Sequence, residues 1–224
     1  MKNFIFAFAL LLAGCAITGV VQPEPSGTTE ALDLVGEYGA GGQGLSAMLG
    51  PGQGTLGAQI QAKFGSKVRI LGYWNWNDYS VNSVLAAVPA SHMIGYFGDS
   101  CGASIGPFNA AIQHRQVAVV IGAQASIYCP TVGSYDAVPK NVTYAEETYN
   151  PNCDETAGLG CRIYTATSAT RLTLVQRPDM HPDLQQDFFN DALSELSIVL
   201  DDSAKLKASI GGTQILVRYH GQRM

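Results

Sequence analysis

The chain carries little charge of either sign. Of its 224 residues, 13 are Lys or Arg and 18 are Asp or Glu, which gives 14% charged residues and a formal net charge of -5. Such sparse, net acidic charge does not form the basic surface that binds nucleic acid, so we expect no nucleic-acid partner. The hydrophobic fraction of 46% excludes a disordered or fibrous chain and fits one globular domain with a full core.

Long apolar runs are missing after the N-terminal segment, and no later stretch is apolar enough to cross a bilayer. The chain starts with a short basic stretch and the run FIFAFALLL, which is the layout of a secretory signal. The string Leu12-Ala13-Gly14-Cys15 resembles the lipobox of bacterial lipoproteins, in which the cysteine is lipidated and becomes the new N-terminus. An ordinary signal peptide with a chance cysteine is the alternative interpretation.

The lipobox resemblance implies an exported protein of the bacterial cell envelope, held to a membrane by a lipid on Cys15. Residues 1–14 are then the removed signal peptide, residues 15–30 a polar tether, and residues 31–224 a single domain. Ala16 is not the Asp that commonly retains lipoproteins at the inner membrane, which favours the outer membrane.

Cysteine is sparse as well, with five in the chain, and no two stand in the C-x-x-C spacing of a zinc site. We therefore expect no metal and no other cofactor. Besides Cys15 the number is even, which indicates disulfides in an exported chain. Cys153 and Cys161 flank a short loop and are predicted to pair. Cys101 and Cys129 follow strands that are expected to be neighbours, and they form a second candidate pair.

Strand-like and helix-like segments alternate along the rest of the chain. Leu56, Ile60 and Phe64 recur every four residues and predict a helix that Gly65 ends. We predict strands at 31–38, 67–74, 92–97, 116–124, 140–149 and 170–177, and helices at 55–64, 76–88, 102–114 and after Pro182. This alternation predicts an α/β fold, a three-layer sandwich with a mainly parallel sheet and helices on both faces. Sites in such sheets lie at the carboxyl ends of the strands.

The stretch IGYFGDSCGAS, residues 94–104, places a serine between two glycines where a predicted strand ends and a helix begins. It matches G-x-S-x-G, the nucleophile elbow, in which a sharp turn projects the serine hydroxyl above the sheet edge. Ser100 is therefore the candidate nucleophile, and the backbone amide of Cys101 is a candidate oxyanion donor. A tight glycine-rich turn with an inert serine is the plain alternative.

With two βα units before this elbow, the chain resembles the α/β-hydrolase superfamily, in the compact, lidless form of cutinase-like serine esterases. The resemblance implies an ester substrate, small or lipid-like, and a second oxyanion donor in the glycine-rich loop GAGGQG (39–44), where Ala40 or Gly41 stands at the matching place. It also implies a catalytic histidine between the last strand and the last helix, and His181 lies there. The other histidines precede a strand, end a helix or lie in the C-terminal tail: His92, His114 and His220.

The sequence offers several candidates for the acid that orients the histidine. Asp154, on the loop after the predicted strand 140–149, is our choice. A Ser-His dyad completed by a backbone carbonyl or by the carbonyl of Gln124 stays open, whereas Asp179 is too close to His181 along the chain. Glu146 and Glu147 lie within the strand in this interpretation, and Asp136 lies on the loop before it.

Two other functional interpretations remain. The string FGDS also resembles the first block of the GDSL hydrolases, although the serine of that family follows the first strand and its G-x-N-D block is absent here. An inactive hydrolase-fold lipoprotein that serves as a binding or scaffold module is the non-enzymatic alternative. Trp74 and Trp76 stand beside a strand end, but they define no ligand.

Overall fold

The computed structural model describes residues 32–39, 54–126, 129, 137–151, 163–166, 171–177, 185–202 and 214–219. Its elements follow in chain order: β1 Leu32–Tyr38, α1 Leu56–Phe64, a 3-10 turn Gly65–Lys67, β2 Val68–Asn75, α2 Ser80–Ala86, β3 Met93–Asp99, α3 Cys101–Ile112, β4 Val117–Ala123, β5 Ala137–Val138, β6 Val142–Tyr149, β7 Thr165–Ala166, β8 Arg171–Gln176, α4 Gln185–Asp202 and β9 Gln214–Tyr219. The predicted signal peptide, Cys15, the predicted tether and His220 lie outside the described residues.

Seven strands form one parallel sheet in the order β2-β1-β3-β4-β6-β8-β9. The predicted α/β fold with a parallel sheet is confirmed. All seven residues of β4 are buried, as expected for a central parallel strand whose two faces are both covered. The two-residue strands β5 and β7 form a separate parallel pair.

Two hydrophobic clusters contain residues that alternate along the same strands. Leu34 and Phe97 share a cluster with Ile60 of α1 and Phe188 of α4. Their neighbours in sequence, Val35 and Tyr96, belong to a second cluster, which also contains Leu85 of α2 and Ala110 of α3. Each fully buried Val, Leu, Ile or Phe side chain in these clusters contributes about 1.5–3 kcal/mol relative to exposure.

The structure confirms the predicted bounds of the first helix to within one residue, but not those of the second. Thr55 caps α1, since its hydroxyl accepts the Ala58 amide hydrogen at 3.3 Å, and Gly65 ends it at a φ of 55°. α2 is shorter than predicted and begins at Ser80. The Asp78 carboxyl accepts the Ser80 amide hydrogen at 3.0 Å, which forms a turn before the helix.

β9 is an element that the sequence analysis did not predict. Its sequence QILVRY is rich in apolar and β-branched residues and has the length of a strand, which was the available signal. It pairs with β8 from Arg171↔Gln214 to Gln176↔Tyr219. The stretch that we assigned to the C-terminal tail therefore adds a strand to the parallel sheet.

A buried ionic cluster lies at the amino end of the sheet, at the opposite end of β3 from Ser100. The guanidinium of Arg69 donates two hydrogen bonds to Asp33, at 2.6 and 2.7 Å. The Nδ1 atom of His92 lies 3.0 Å from the same carboxylate. Because paired donors satisfy this buried carboxylate, His92 has a structural partner at the end of the sheet opposite to Ser100.

Candidate active site

Ser100 lies directly between β3 and α3 with an unusual backbone. Its φ is 54° and its ψ is -118°, a conformation that costs a residue with a side chain about 1–3 kcal/mol. Its amide donates to the Ala123 carbonyl at 2.8 Å, and its carbonyl accepts from Ser104 at 3.1 Å and from Ser126 at 3.3 Å. Three neighbouring segments thus hold the strained residue in place.

The two glycines of the motif allow a close approach of backbone segments. A Cβ placed on Gly98 would lie 2.7 Å from the carbonyl carbon of Gly102. A Cβ on Gly102 would lie 1.9 Å from the carbonyl oxygen of Glu37. Neither distance is possible for real atoms, so any side chain at these positions would push α3 away from β1 and β3.

Gly39, at the end of β1, lies against the serine side chain. A Cβ at this position would be 2.6 Å from the Ser100 Cβ and 2.9 Å from its hydroxyl oxygen. The glycine-rich loop predicted to supply an oxyanion donor therefore starts beside the candidate nucleophile. The proposed donors Ala40 and Gly41 lie outside the described residues.

A disulfide joins the residue after the serine to the loop after β4. Cys101 and Cys129 are bonded, with their Cα atoms 5.5 Å apart, which confirms the second predicted pair. Both cysteines are buried, and Trp76 and Phe108 pack against their cluster. The first predicted pair, Cys153 and Cys161, lies outside the described residues.

Two buried acids close to the elbow were missed by the sequence analysis. Burial raises the pKa of Asp99 from 3.8 to about 7, and the amides of Gly39 and of Asp99 itself offset this only partly. Its carboxyl oxygens have no hydrogen bond of ordinary geometry within the described part of the chain. Burial likewise raises the pKa of Glu37 to about 8, although Asn109 donates to it at 2.5 Å.

Glu37 contacts α3 through both its backbone and its side chain. Its carbonyl lies against Gly102 in the first turn of the helix, whereas its carboxyl accepts from Asn109, two turns further along. The pKa of that carboxyl is raised because it is buried against the body of α3. The signal for Glu37 was its place two residues after Val35, on the same face of β1 as a buried core residue.

The predicted histidine and acid, His181 and Asp154, both lie outside the described residues. Their chain positions are nevertheless defined by the neighbouring elements: β8 ends at Gln176 before His181, and β6 ends at Tyr149 before Asp154. Of the other histidines that the structure describes, His92 binds Asp33 and His114 is exposed.

Gln124 and the two glutamates of β6 are placed by the structure. Gln124 follows β4 with a φ of 48°, and its amide donates to the Thr148 carbonyl at 2.7 Å. Glu146 and Glu147 lie within β6 and are fully buried. Their position inside the strand agrees with the prediction.

Comparisons with known proteins leave the chain without an assigned family, since no protein-family model, no curated protein and no solved structure matches it. Within the described residues, no group of three or more His, Cys, Asp or Glu side chains is arranged to hold a metal ion. The described helices also include none that is long and apolar enough to cross a membrane.

Proposed function

We propose that the protein is a serine hydrolase of the bacterial envelope that cleaves an ester through an acyl-enzyme on Ser100. The strained backbone of Ser100 supports this most strongly. A left-handed φ on a residue with a side chain persists only where the surroundings impose it, and such residues concentrate at functional sites. Here it is combined with a strand before the serine, a helix after it and glycines at each close approach.

The proposed reaction has two half-reactions. His181 takes the proton of the Ser100 hydroxyl as its oxygen attacks the ester carbonyl and forms a new C–O bond. The amide of Cys101, with that of Ala40 or Gly41, donates to the developing oxyanion. His181 then gives the proton to the departing alcohol as the original ester C–O bond breaks. Water, activated by the same histidine, hydrolyses the acyl-enzyme, and Asp154 orients the imidazole.

The strand order supports an α/β-hydrolase-like fold, a three-layer arrangement with α1 and α4 on one face and α2 and α3 on the other. Ser100 follows the third strand, and that strand lies inside the sheet between β1 and β4. The loops with Asp154 and His181 follow β6 and β8 in the same parallel sheet. Because carboxyl ends of parallel strands share one edge, this order favours a common site for the three residues. The place of Ser100 after the third strand, and not after the first, favours the assignment over the GDSL alternative.

The lipobox resemblance extends the proposal to location. A lipid on Cys15 holds the domain at a membrane of the envelope, with the outer membrane favoured. The polar tether of residues 15–30 gives the domain reach from that surface. A lipid-like or small ester near the membrane is then the substrate class.

A fluorophosphonate probe tests the proposed nucleophile, because it reacts with activated serines. The purified domain should be labelled and should hydrolyse short p-nitrophenyl esters, whereas Ser100→Ala should do neither. Ser91→Ala is the matched control, since Ser91 is exposed at the opposite end of β3, and it should behave as the wild type. Equal labelling of wild type and Ser100→Ala, or no labelling of either, would contradict the proposal and leave the inactive-module alternative.

A further inference from the structure

The segment after β4 lies against the nucleophile elbow. We call its described residues, Gln124, Ala125, Ser126 and Cys129, the strap. The amide of Ser126 donates to the Ser100 carbonyl at 3.3 Å, and the Ser104 hydroxyl donates to the Ser126 carbonyl at 2.8 Å. The Cys101–Cys129 disulfide adds a covalent link. The strap is therefore attached to Ser100 itself and to two residues that follow it in α3, Cys101 and Ser104.

A single buried carboxyl group holds the strap from the side of β6. Glu147 is fully buried, and its Oε1 accepts the Ala125 amide hydrogen at 3.3 Å. Its Oε2 accepts the amide hydrogen of Tyr164 at 2.5 Å. Carboxylate hydrogen bonds to buried amides are among the stronger ones in proteins, so Glu147 fixes two separate backbone segments with its two oxygens.

Tyr164 connects Glu147 to α3. Its hydroxyl donates to the Ala103 carbonyl at 2.5 Å. That carbonyl has no intrahelical partner at the usual position, because residue 107 is a proline without an amide hydrogen. Gly122 leaves the necessary space, since a Cβ there would lie 2.4 Å from the tyrosine oxygen. A closed set of contacts thus runs from α3 through Tyr164, Glu147 and the strap back to Ser100.

We propose that Glu147 is a positioning residue for the reaction at Ser100, and that it acts by holding the strap against the elbow. The inference rests on the serine-hydrolase function proposed above. Oxyanion donors and nucleophile must be aligned within fractions of an ångström, and the strap contacts both the Ser100 carbonyl and the Cys101 side chain. Loss of the Glu147 contact frees the strap and lets the strained backbone relax.

Glu147→Gln tests this role with little change in shape. Glutamine keeps one acceptor oxygen, but its NH2 group faces one of the two amide donors. Glu146→Gln is the matched control, because Glu146 is the preceding residue, equally buried, and lies on the other face of β6. Each full-length protein is assayed for kcat per fluorophosphonate-titrated site, for KM, and for the rate at which dithiothreitol reduces the Cys101–Cys129 disulfide.

We expect Glu147→Gln to lower kcat about 10- to 100-fold with little change in KM, and to speed reduction of the disulfide. Glu146→Gln should change neither, even if it lowers thermal stability. An unchanged kcat, an unchanged reduction rate, or an equal loss in Glu146→Gln would overturn the proposal. If Glu147→Gln does not fold, Glu147→Asp replaces it, since the shorter side chain withdraws its carboxylate from the Ala125 and Tyr164 amides, and the same outcomes decide.

The rate at which the Cys101–Cys129 disulfide is reduced tests this inference independently of the proposed function. If the wild type neither reacts with the probe nor hydrolyses esters, the proposed function fails. Faster reduction in Glu147→Gln would still support the contact between Glu147 and the strap, whereas an equal rate would overturn that contact as well.

Discussion

Gly39 and Ser100 are in such close contact that a side chain at residue 39 would collide with the serine hydroxyl: the Cβ of an alanine there would lie 2.9 Å from the Ser100 oxygen. This contact links the end of β1 to the elbow after β3. It also explains why the chain has a glycine where the predicted oxyanion loop starts.

Gly39→Ala should therefore abolish most activity while the protein stays folded. The added methyl group must displace the Ser100 side chain or the start of the loop, and a displacement of about 1 Å costs on the order of 100-fold in rate. Fluorophosphonate labelling kinetics, with circular dichroism to check the fold, measure this.

Gly65→Ala is the control for Gly39→Ala. Gly65 has a φ of 55°, a ψ of -129° and open space around its Cβ position, so alanine there costs about 1–3 kcal/mol of backbone strain without a collision. It should lower stability and leave labelling unchanged. Normal labelling of Gly39→Ala would contradict the close contact.

Removal of the Cys101–Cys129 disulfide should lower both stability and activity. The cysteines are 28 residues apart in sequence, which corresponds to about 3–4 kcal/mol in the chain-entropy model. The double variant Cys101→Ala, Cys129→Ala keeps the residue 101 amide but frees the strap. Urea unfolding and kcat measure the two effects. The same loss should follow when the wild type is reduced, and unchanged stability in both cases would refute the prediction.

Glu37 should make the protein less stable as the pH rises. Its folded pKa of about 8 lies above its ordinary value of 4.5, so between these values the folded state holds a proton that the unfolded state releases. This contribution is complete below 4.5 and is lost as the pH rises to about 8. The raised pKa of Asp99 should likewise lower the stability of the protein as the pH rises from 3.8 to about 7.

Glu37→Gln should flatten that pH dependence, because glutamine is neutral throughout and its oxygen still accepts from Asn109. Urea unfolding between pH 4.5 and 8, the window set by the two pKa values of Glu37, measures the slope. Identical slopes for Glu37→Gln and the wild type would show that Glu37 is not protonated in the folded state.

The parts of the fold that were predicted correctly depend on local patterns. The four-residue spacing of Leu56, Ile60 and Phe64 predicts α1, and the continuous apolar run at residues 116–124 predicts β4. The elbow could be predicted because its glycines and its serine are contiguous in the sequence, whereas the contact of Gly102 with the Glu37 carbonyl on β1 could not.

The parts that were missed depend on contacts between distant residues. Tyr164 and Ala103 are 61 positions apart, and Asn109 and Glu37 are 72 apart. Nothing in the local sequence around Glu147 shows that its two oxygens accept amide hydrogens from two loops. The pairing of β5 with β7 was missed as well, because a strand of two residues is too short to show a periodic pattern.

The lipid anchor can be tested independently of catalysis. Cys15→Ser should move the expressed protein from the detergent phase to the soluble fraction on phase partitioning, because a serine cannot form the thioether to the lipid. The partition of Ser91→Ala should match that of the wild type. Detergent partitioning that is the same for Cys15→Ser and wild type would rule out lipidation at this cysteine.

Asp154 is the predicted third member of the catalytic set, and its test requires a change that keeps the size of the side chain. A carboxylate holds the imidazole of His181 in the required tautomer and stabilises its positive charge in the transition state, whereas an amide does neither. Asp154→Asn should therefore lower kcat by about 10⁴-fold at neutral pH, with KM and thermal stability nearly unchanged. Gln124→Ala addresses the alternative in which the Gln124 carbonyl completes a dyad. A large loss in Gln124→Ala together with normal kcat in Asp154→Asn would assign the orienting role to Gln124, and normal kcat in both would leave a backbone carbonyl as the partner of His181.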